Sequence, residues 1–229
     1  MGTPESGTVA LDDRYIFLSA GIPVGELPGD ADRDEIAAAV RAAVSGVLLA
    51  GGRLLFGGQP GIVPLVLDVA QDLAGQDPTG ENDPPRVTLY QSALYADLLP
   101  AEVERLAAAG LARVEMTEAA PGERPERGRN GQSLALMRDA MLSRENDPAA
   151  GIFIGGMDGI TTEFRQFRES FPDRPAYIFG APGGAARQLA LAEIRATPAA
   201  PLARQLAESD RYDVLIAEVV HEVADTLGR

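Results

Sequence analysis

Apolar residues along this chain follow two alternating patterns. Short unbroken runs have the length and β-prone composition of strands covered on both faces: Tyr15-Ile-Phe-Leu-Ser19, Arg53-Leu-Leu-Phe56, Arg86-Val-Thr-Leu-Tyr90, Ala150-Gly-Ile-Phe-Ile154 and Ala176-Tyr-Ile-Phe179. Ala112-Arg-Val-Glu115 adds a shorter one. Between them, apolar side chains recur every three or four positions, which predicts helices with one buried stripe. Ile36, Val40, Val44 and Val47 form one stripe; Ile62 to Leu73 carries another, with Pro64 in its first turn; Leu134, Met137 and Met141 mark a third within 133–144. Helices are also expected from Pro100 to Ala109, from Ile160 to Phe171 and from about Ala185. Pro201 to Leu227 reads as two closing helices, the last carrying Val214, Ile216, Val219, Val220 and Val223.

Strands alternating with helices along nearly the whole chain predict an α/β protein with a Rossmann-like open parallel sheet and helices on both faces. No internal repeat or break in composition divides it, so a single domain over 15–229, with 201–229 as its closing helices, is expected behind a polar leader, 1–14. The polar stretches Gly25 to Asp34, Gln76 to Pro85 and Thr117 to Asn130 read as loops, the last of them placed to fold over a ligand.

Charge narrows the partners. The 229 residues are 45% hydrophobic and 24% charged, as in soluble globular proteins, and carry a formal net charge of -14. Such a field opposes a nucleic-acid backbone or an anionic membrane, so neither is an expected partner. A small anion held by local amides and arginines is compatible with it. The absence of cysteine excludes disulfides, thiolate metal sites and a thiol nucleophile, and a single histidine, His221, is a poor basis for a zinc site. No apolar run approaches the roughly 20 residues of a membrane span, and Met1 to Ala10 lacks the pattern of a secretory signal, which points to the cytoplasm.

In an open parallel sheet, ligands bind outside the carboxyl ends of the strands. Three of the expected strand ends carry paired glycines, Gly57-Gly58, Gly155-Gly156 and Gly183-Gly184, where backbone amides can approach a phosphate closely. Neither the dinucleotide fingerprint G-x-G-x-x-G nor the P-loop G-x-x-x-x-G-K-[ST] occurs, which argues against an ordinary dehydrogenase or ATPase. Gln59 follows the first of these pairs, and other strand ends deliver Ser19, Ala20, Gln91 and Ser92. The most informative segment is Gly155-Gly-Met157-Asp158-Gly159-Ile-Thr-Thr-Glu163, in which Glu163 lies about one helical turn beyond Gly159 and can face the same crevice. Each residue also has a plainer reading: tight turns for the glycines, a helix cap for Asp158, a dipole-favoured first-turn carboxylate for Glu163, turn amides for Gln59, Gln91 and Ser92, and a surface position for His221.

That segment resembles the motif P-G-G-x-G-T-x-x-E of the SLOG superfamily, which includes the LOG phosphoribohydrolases. The resemblance covers roughly Tyr15 to Leu189. It implies that Glu163 acts with an upstream arginine, best matched by Arg138 in Leu136-Met-Arg-Asp-Ala-Met141, to cleave the N-glycosidic bond of a nucleotide without a cofactor. Three positions depart from the enzymes' pattern: Ile154 precedes the glycines in place of proline, Ile160 replaces the threonine, and Asp139 follows Arg138 where the enzymes have lysine. Unless it is engaged in this way, Arg138 reads as a solvated helix arginine.

Phe17-Leu-Ser-Ala20, Gly57-Gly-Gln-Pro-Gly-Ile-Val-Pro64, Tyr90-Gln-Ser92 and the Met157-Asp158 insertion are more similar to the SLOG branch of bacterial signalling and defence. That branch implies a sensor of nucleotide-derived, ADP-ribose-like ligands. The glycine turns would supply amides, Arg138 would meet phosphate, and Gln59, Gln91 and Glu163 would meet ribose or base. A LOG-like hydrolase is the rival reading, and an assembly protein with a purely structural pocket is a third. The alanine-rich segments 101–109 and 185–193 leave room for a homo-oligomer, and output would pass through it or through an effector protein in trans.

Overall fold

A computed structural model describes residues 10–23, 30–76, 85–125, 131–197 and 201–228. Most of the expected leader and parts of all three expected loops lie outside the described residues. In chain order the elements are β1 (Tyr15–Gly21), α1 (Arg33–Leu49), β2 (Arg53–Gly57), α2 (Val63–Gln76), β3 (Val87–Ser92), α3 (Ala101–Ala108) and β4 (Ala112–Thr117). They continue with α4 (Gln132–Met141), β5 (Ala150–Gly155), α5 (Asp158–Ser170), β6 (Ala176–Phe179), α6 (Gly184–Ala196), α7 (Pro201–Glu208) and α8 (Tyr212–Leu227).

The six strands form one sheet in the order β4-β3-β2-β1-β5-β6, with every neighbouring pair parallel. The chain therefore winds from β1 outward to one edge, returns through α4 to β5 beside β1, and winds outward to the other edge. Where the winding reverses, between β1 and β5, the connections leave in opposite directions and open a crevice at the carboxyl ends. This is the Rossmann-like architecture expected from the apolar pattern.

Both faces of the sheet are covered, which explains the unbroken apolar runs. Ile16, Leu18, Leu54, Phe56, Ile152 and Ile154 pack into a core with α1, α2, α3 and α8. The alternate residues Phe17, Leu55, Phe153 and Ile178 pack beneath α4, α5 and α6. Asp32 starts α1 by accepting the amides of Asp34 and Glu35 at 2.8 and 3.1 Å.

Several local expectations shift. Leu11, assigned to the leader, is fully buried, and its amide donates to the Ala50 carbonyl at 2.7 Å. A 3-10 segment, Ala93–Leu98, follows β3, with the Ser92 hydroxyl accepting the Leu94 amide at 3.3 Å. The α4 helix ends at Met141 rather than Arg144, because the Asn146 amide donates to the carbonyls of Ala140 and Met141 at 3.2 and 2.8 Å. In α8 the buried stripe runs through Leu215, Ile216, Val219, Val220 and Val223, leaving Val214 exposed. Among the described residues no helix is long and apolar enough to cross a membrane.

Candidate functional site

The reversal of winding brings four elements to one point. β1 delivers Ser19, β5 ends in Gly155-Gly156, α5 carries Glu163, and α4, arriving from the far edge, carries Arg138. Ser19 Oγ donates to Glu163 Oε2 at 2.6 Å, and Arg138 Nε donates to Glu163 Oε1 at 3.0 Å. The carboxylate is thus held at both oxygens, by groups 144 and 25 residues away in sequence.

Arg138 is the one buried charged residue among the described residues, its side chain 7% exposed against 15% for Glu163. The solvated reading of this arginine is therefore overturned. A guanidinium this far from water requires a carboxylate beside it, because removing one partner of a buried pair typically costs about 3–5 kcal/mol.

The position of Glu163 is set by aromatic packing on the next residues of α5. Phe167 stacks on Phe17 with ring centroids 5.8 Å apart, and Phe164 meets the edge of Phe153 at 5.1 Å. Gln166 adds a polar rung to α4, donating to Asp139 at 2.6 Å. Arg138-Glu163 and Asp139-Gln166 therefore tie α4 and α5 together side by side, and Asp139 occupies the place of the enzymes' lysine.

The three glycine pairs follow the carboxyl ends of β2, β5 and β6, on the same side of the parallel sheet, but they are built differently. Gly155, Gly156, Gly183 and Gly184 all have positive φ, between 63° and 85°. The Gly156 amide donates to the Gly21 carbonyl at 2.7 Å, and the Gly156 carbonyl accepts from Ala185 at 3.0 Å. A Cβ on Gly184 would lie 2.8 Å from the Gly156 oxygen, and one on Gly183 would lie 2.7 Å from Ala31 Cα. These two pairs interlock, backbone against backbone. Gly57 and Gly58 lack positive φ; Gln91 occupies the place of a Cβ on Gly58, and a Cβ on Gly57 would press on the end of Met137.

The remaining expected site residues take the following places. Gln59 donates to the Ile22 carbonyl at 2.9 Å and accepts the Gly61 amide at 2.7 Å, tying the turn after β2 to the end of β1. Gln91 is buried and donates to the Tyr95 carbonyl at 2.8 Å. Ala20 is half-buried in the ladder opposite Ile154. Met157, not Asp158, is the N-cap of α5; it is exposed, and Asp158 opens the first turn without a side-chain cap. Gly159 follows, against the Arg138 guanidinium, where a Cβ would sit 3.4 Å from Nη2. The Ile160 amide donates back to the Met157 carbonyl at 2.9 Å, and the amino end of α5, where a helix has amides beyond its internal ladder, lies beside the Arg138-Glu163 pair. His221 is exposed on α8, 3.7 Å from Asp225. Among the described residues no three His, Asp or Glu side chains gather as a metal site.

A cavity of about 340 Å³ lies elsewhere, lined by Arg144, Asp147 and residues 170–174, which precede β5 and β6. It sits at the amino ends of these strands, away from the crevice. Asp147 there bridges Arg14 and Arg174 at 3.0 Å each, a reason for the cluster that needs no ligand.

The family described as the SLOG cluster3 family matches residues 27–216. The chain belongs to this family. No curated protein matches it. Within this SLOG chain, the resemblance paired Glu163 with Arg138, and the sequence showed neither the partner of Ser19 nor the Asp139-Gln166 rung beside them. Nor did it show Glu123, whose carboxylate engages Ser133 at the start of α4. A polar residue at the end of the apolar run 15–19 was the available signal for Ser19; nothing in spacing marks Glu123.

Proposed function

We propose that this SLOG protein binds a nucleotide or nucleotide-derived, ADP-ribose-like signalling ligand over the crevice between β1 and β5, as a cytoplasmic sensor or regulatory domain. Its output passes through self-association or through an effector protein in trans. The observation that carries this reading is the cluster of buried Arg138 and Ser19 around the half-buried Glu163, beside the amino end of α5. A helix amino end attracts anions, and a guanidinium beside it suits a phosphate, while a carboxylate suits ribose or base donors. Family membership supports a nucleotide-related role.

The test is thermal denaturation of the purified chain with a panel of nucleotides and ADP-ribose species, followed by product analysis. A ligand at a hundredfold excess over its Kd stabilises the fold by about 2.7 kcal/mol, a rise of several degrees in Tm. Stabilisation without product supports the sensor, and a panel without any shift overturns it. Hydrolysis of the N-glycosidic bond is the second reading, favoured by the part of Glu163 that stays exposed beside Arg138. It requires turnover that Glu163→Ala abolishes while binding survives.

A further inference from the structure

The α4 helix carries Arg138, yet its own N-cap, Gly131, offers no side chain to cap it. Helix starts of this kind leave amides unsatisfied unless another group reaches them. Here that group comes from the connection between β4 and α4. Glu123 Oε2 accepts both the amide and the hydroxyl of Ser133, at 2.7 and 2.6 Å. The Ser133 hydroxyl in turn accepts the Ala120 amide at 2.8 Å, and Ser133 itself is fully buried.

Gly131 completes the arrangement. A Cβ there would collide with the Glu123 carboxylate, although Gly131 has φ -79° and ψ 175°, a conformation any residue adopts. The glycine is thus demanded by the carboxylate and not by its own backbone. The hydrogen bonds from the Ser133 hydroxyl and then its amide hold the Glu123 carboxyl below its usual value, as expected for an anion at a helix start.

We propose that Glu123 is a positioning residue: by clasping the first turn of α4 it holds Arg138 in register with Glu163 and so shapes the ligand site. This rests on the ligand-binding reading above for its consequence, but not for its geometry. Arg138 lies five residues beyond Ser133, less than two turns along a ten-residue helix, so slack at the start of α4 is passed to the guanidinium.

Three variants test it. Glu123→Ala removes the clasp. Gly131→Ala deletes nothing and ejects the carboxylate by collision. Glu123→Gln keeps an oxygen able to accept both Ser133 donors. Circular dichroism verifies the fold of each, and should Glu123→Ala fail to fold, Gly131→Ala supplies the same readout. The ligand-free measurement is exchange of the Arg138 Nε proton followed by NMR. We expect it to quicken about fivefold in E123A and in G131A, no further in the double variant, and to stay at the parental rate in E123Q. The ligand measurement is titration with ADP-ribose, for which the same pattern is expected as an about fivefold weaker Kd. An Arg138 proton indifferent to E123A and G131A overturns the proposal. Additive effects of the two substitutions also overturn it, since both are held to break one contact. A parental chain that ignores ADP-ribose while its Arg138 proton responds to the variants leaves the clasp standing and counts against the nucleotide reading alone.

Discussion

Two junctions of this protein read almost alike and are built on different physics. β2-Gly57-Gly58 leads to α2, and β5-Gly155-Gly156 leads to α5. At the second, both glycines have positive φ and are locked against Gly183-Gly184, and α5 begins at Asp158, two residues later. At the first, the backbone is ordinary, α2 begins only at Val63, and the turn is filled by Gln59 and Gln91. One pair of glycines is needed by the main chain; at the other, only neighbouring side chains limit what can replace them. Only the first kind leaves a helix start close beneath the strand end, and there the Arg138-Glu163 pair sits.

The difference predicts unequal tolerance. Gly183→Ala is expected to cost the most, roughly 4 kcal/mol by denaturant unfolding. Positive φ contributes about 1–3 kcal/mol of strain, and the collision with Asp30 and Ala31, which are backbone and cannot swing away, contributes about as much again. A loss under about 1 kcal/mol would show that the turn before α6 is slack against the backbone of Asp30 and Ala31.

Glu163→Ala comes next, at about 3 kcal/mol, because it strips the carboxylate from a guanidinium only 7% exposed. Glu163→Gln keeps an oxygen that accepts from Arg138 and turns an amide N–H toward Ser19, whose hydroxyl can rotate to accept it, and is expected to cost visibly less. Equal losses from the two would mean that charge, and not the hydrogen bonds, holds the cluster together.

How much of this was legible beforehand follows from the range of the interactions. The strand runs announced burial on both faces, since Ile16 and Leu18 turn to one core and Phe17 to the other. The helical stripes located α1 and α8 because periodicity is a local property. Glu163 and Arg138 were found through a motif. Their environment was not, since burial of Arg138 depends on α4 crossing back from the far edge of the sheet, which no local pattern encodes. The glycine pairs looked equivalent because sequence records a missing side chain but not whether φ or a neighbour requires its absence. The plainer reading of Ser92 as a residue that satisfies a turn amide holds, but the 3-10 segment it starts was not predicted, because neither proline nor glycine marks it.

Gln91 offers a sharper probe of the β2 junction. Gln91→Ala is expected to cost about 1–2 kcal/mol through the lost bond to Tyr95 and the space left beside Gly58. That space is what a Cβ on Gly58 would occupy, so Gly58→Ala should harm the parental chain more than the Gln91→Ala chain. A thermodynamic cycle showing no coupling would contradict the claim that a side chain sets this glycine.

The smallest effect is expected at Gly57. A Cβ there would stand 3.3 Å from Met137 Cε, tighter than ordinary contact but against the far end of a flexible thioether. Met137 can give by a few tenths of an ångström at little cost, and with φ unstrained the alanine also stiffens the unfolded chain. The two terms nearly cancel, so Gly57→Ala should change unfolding free energy by less than about 1 kcal/mol. The Met137 contact still matters for what lies next to it. Met137 precedes Arg138 on α4, and a displaced methionine would be read first as a change in the Arg138 Nε proton resonance, before any change in stability. A large loss of stability at Gly57, matching that at Gly183, would erase the distinction between a glycine required by its own backbone and one required by a neighbour.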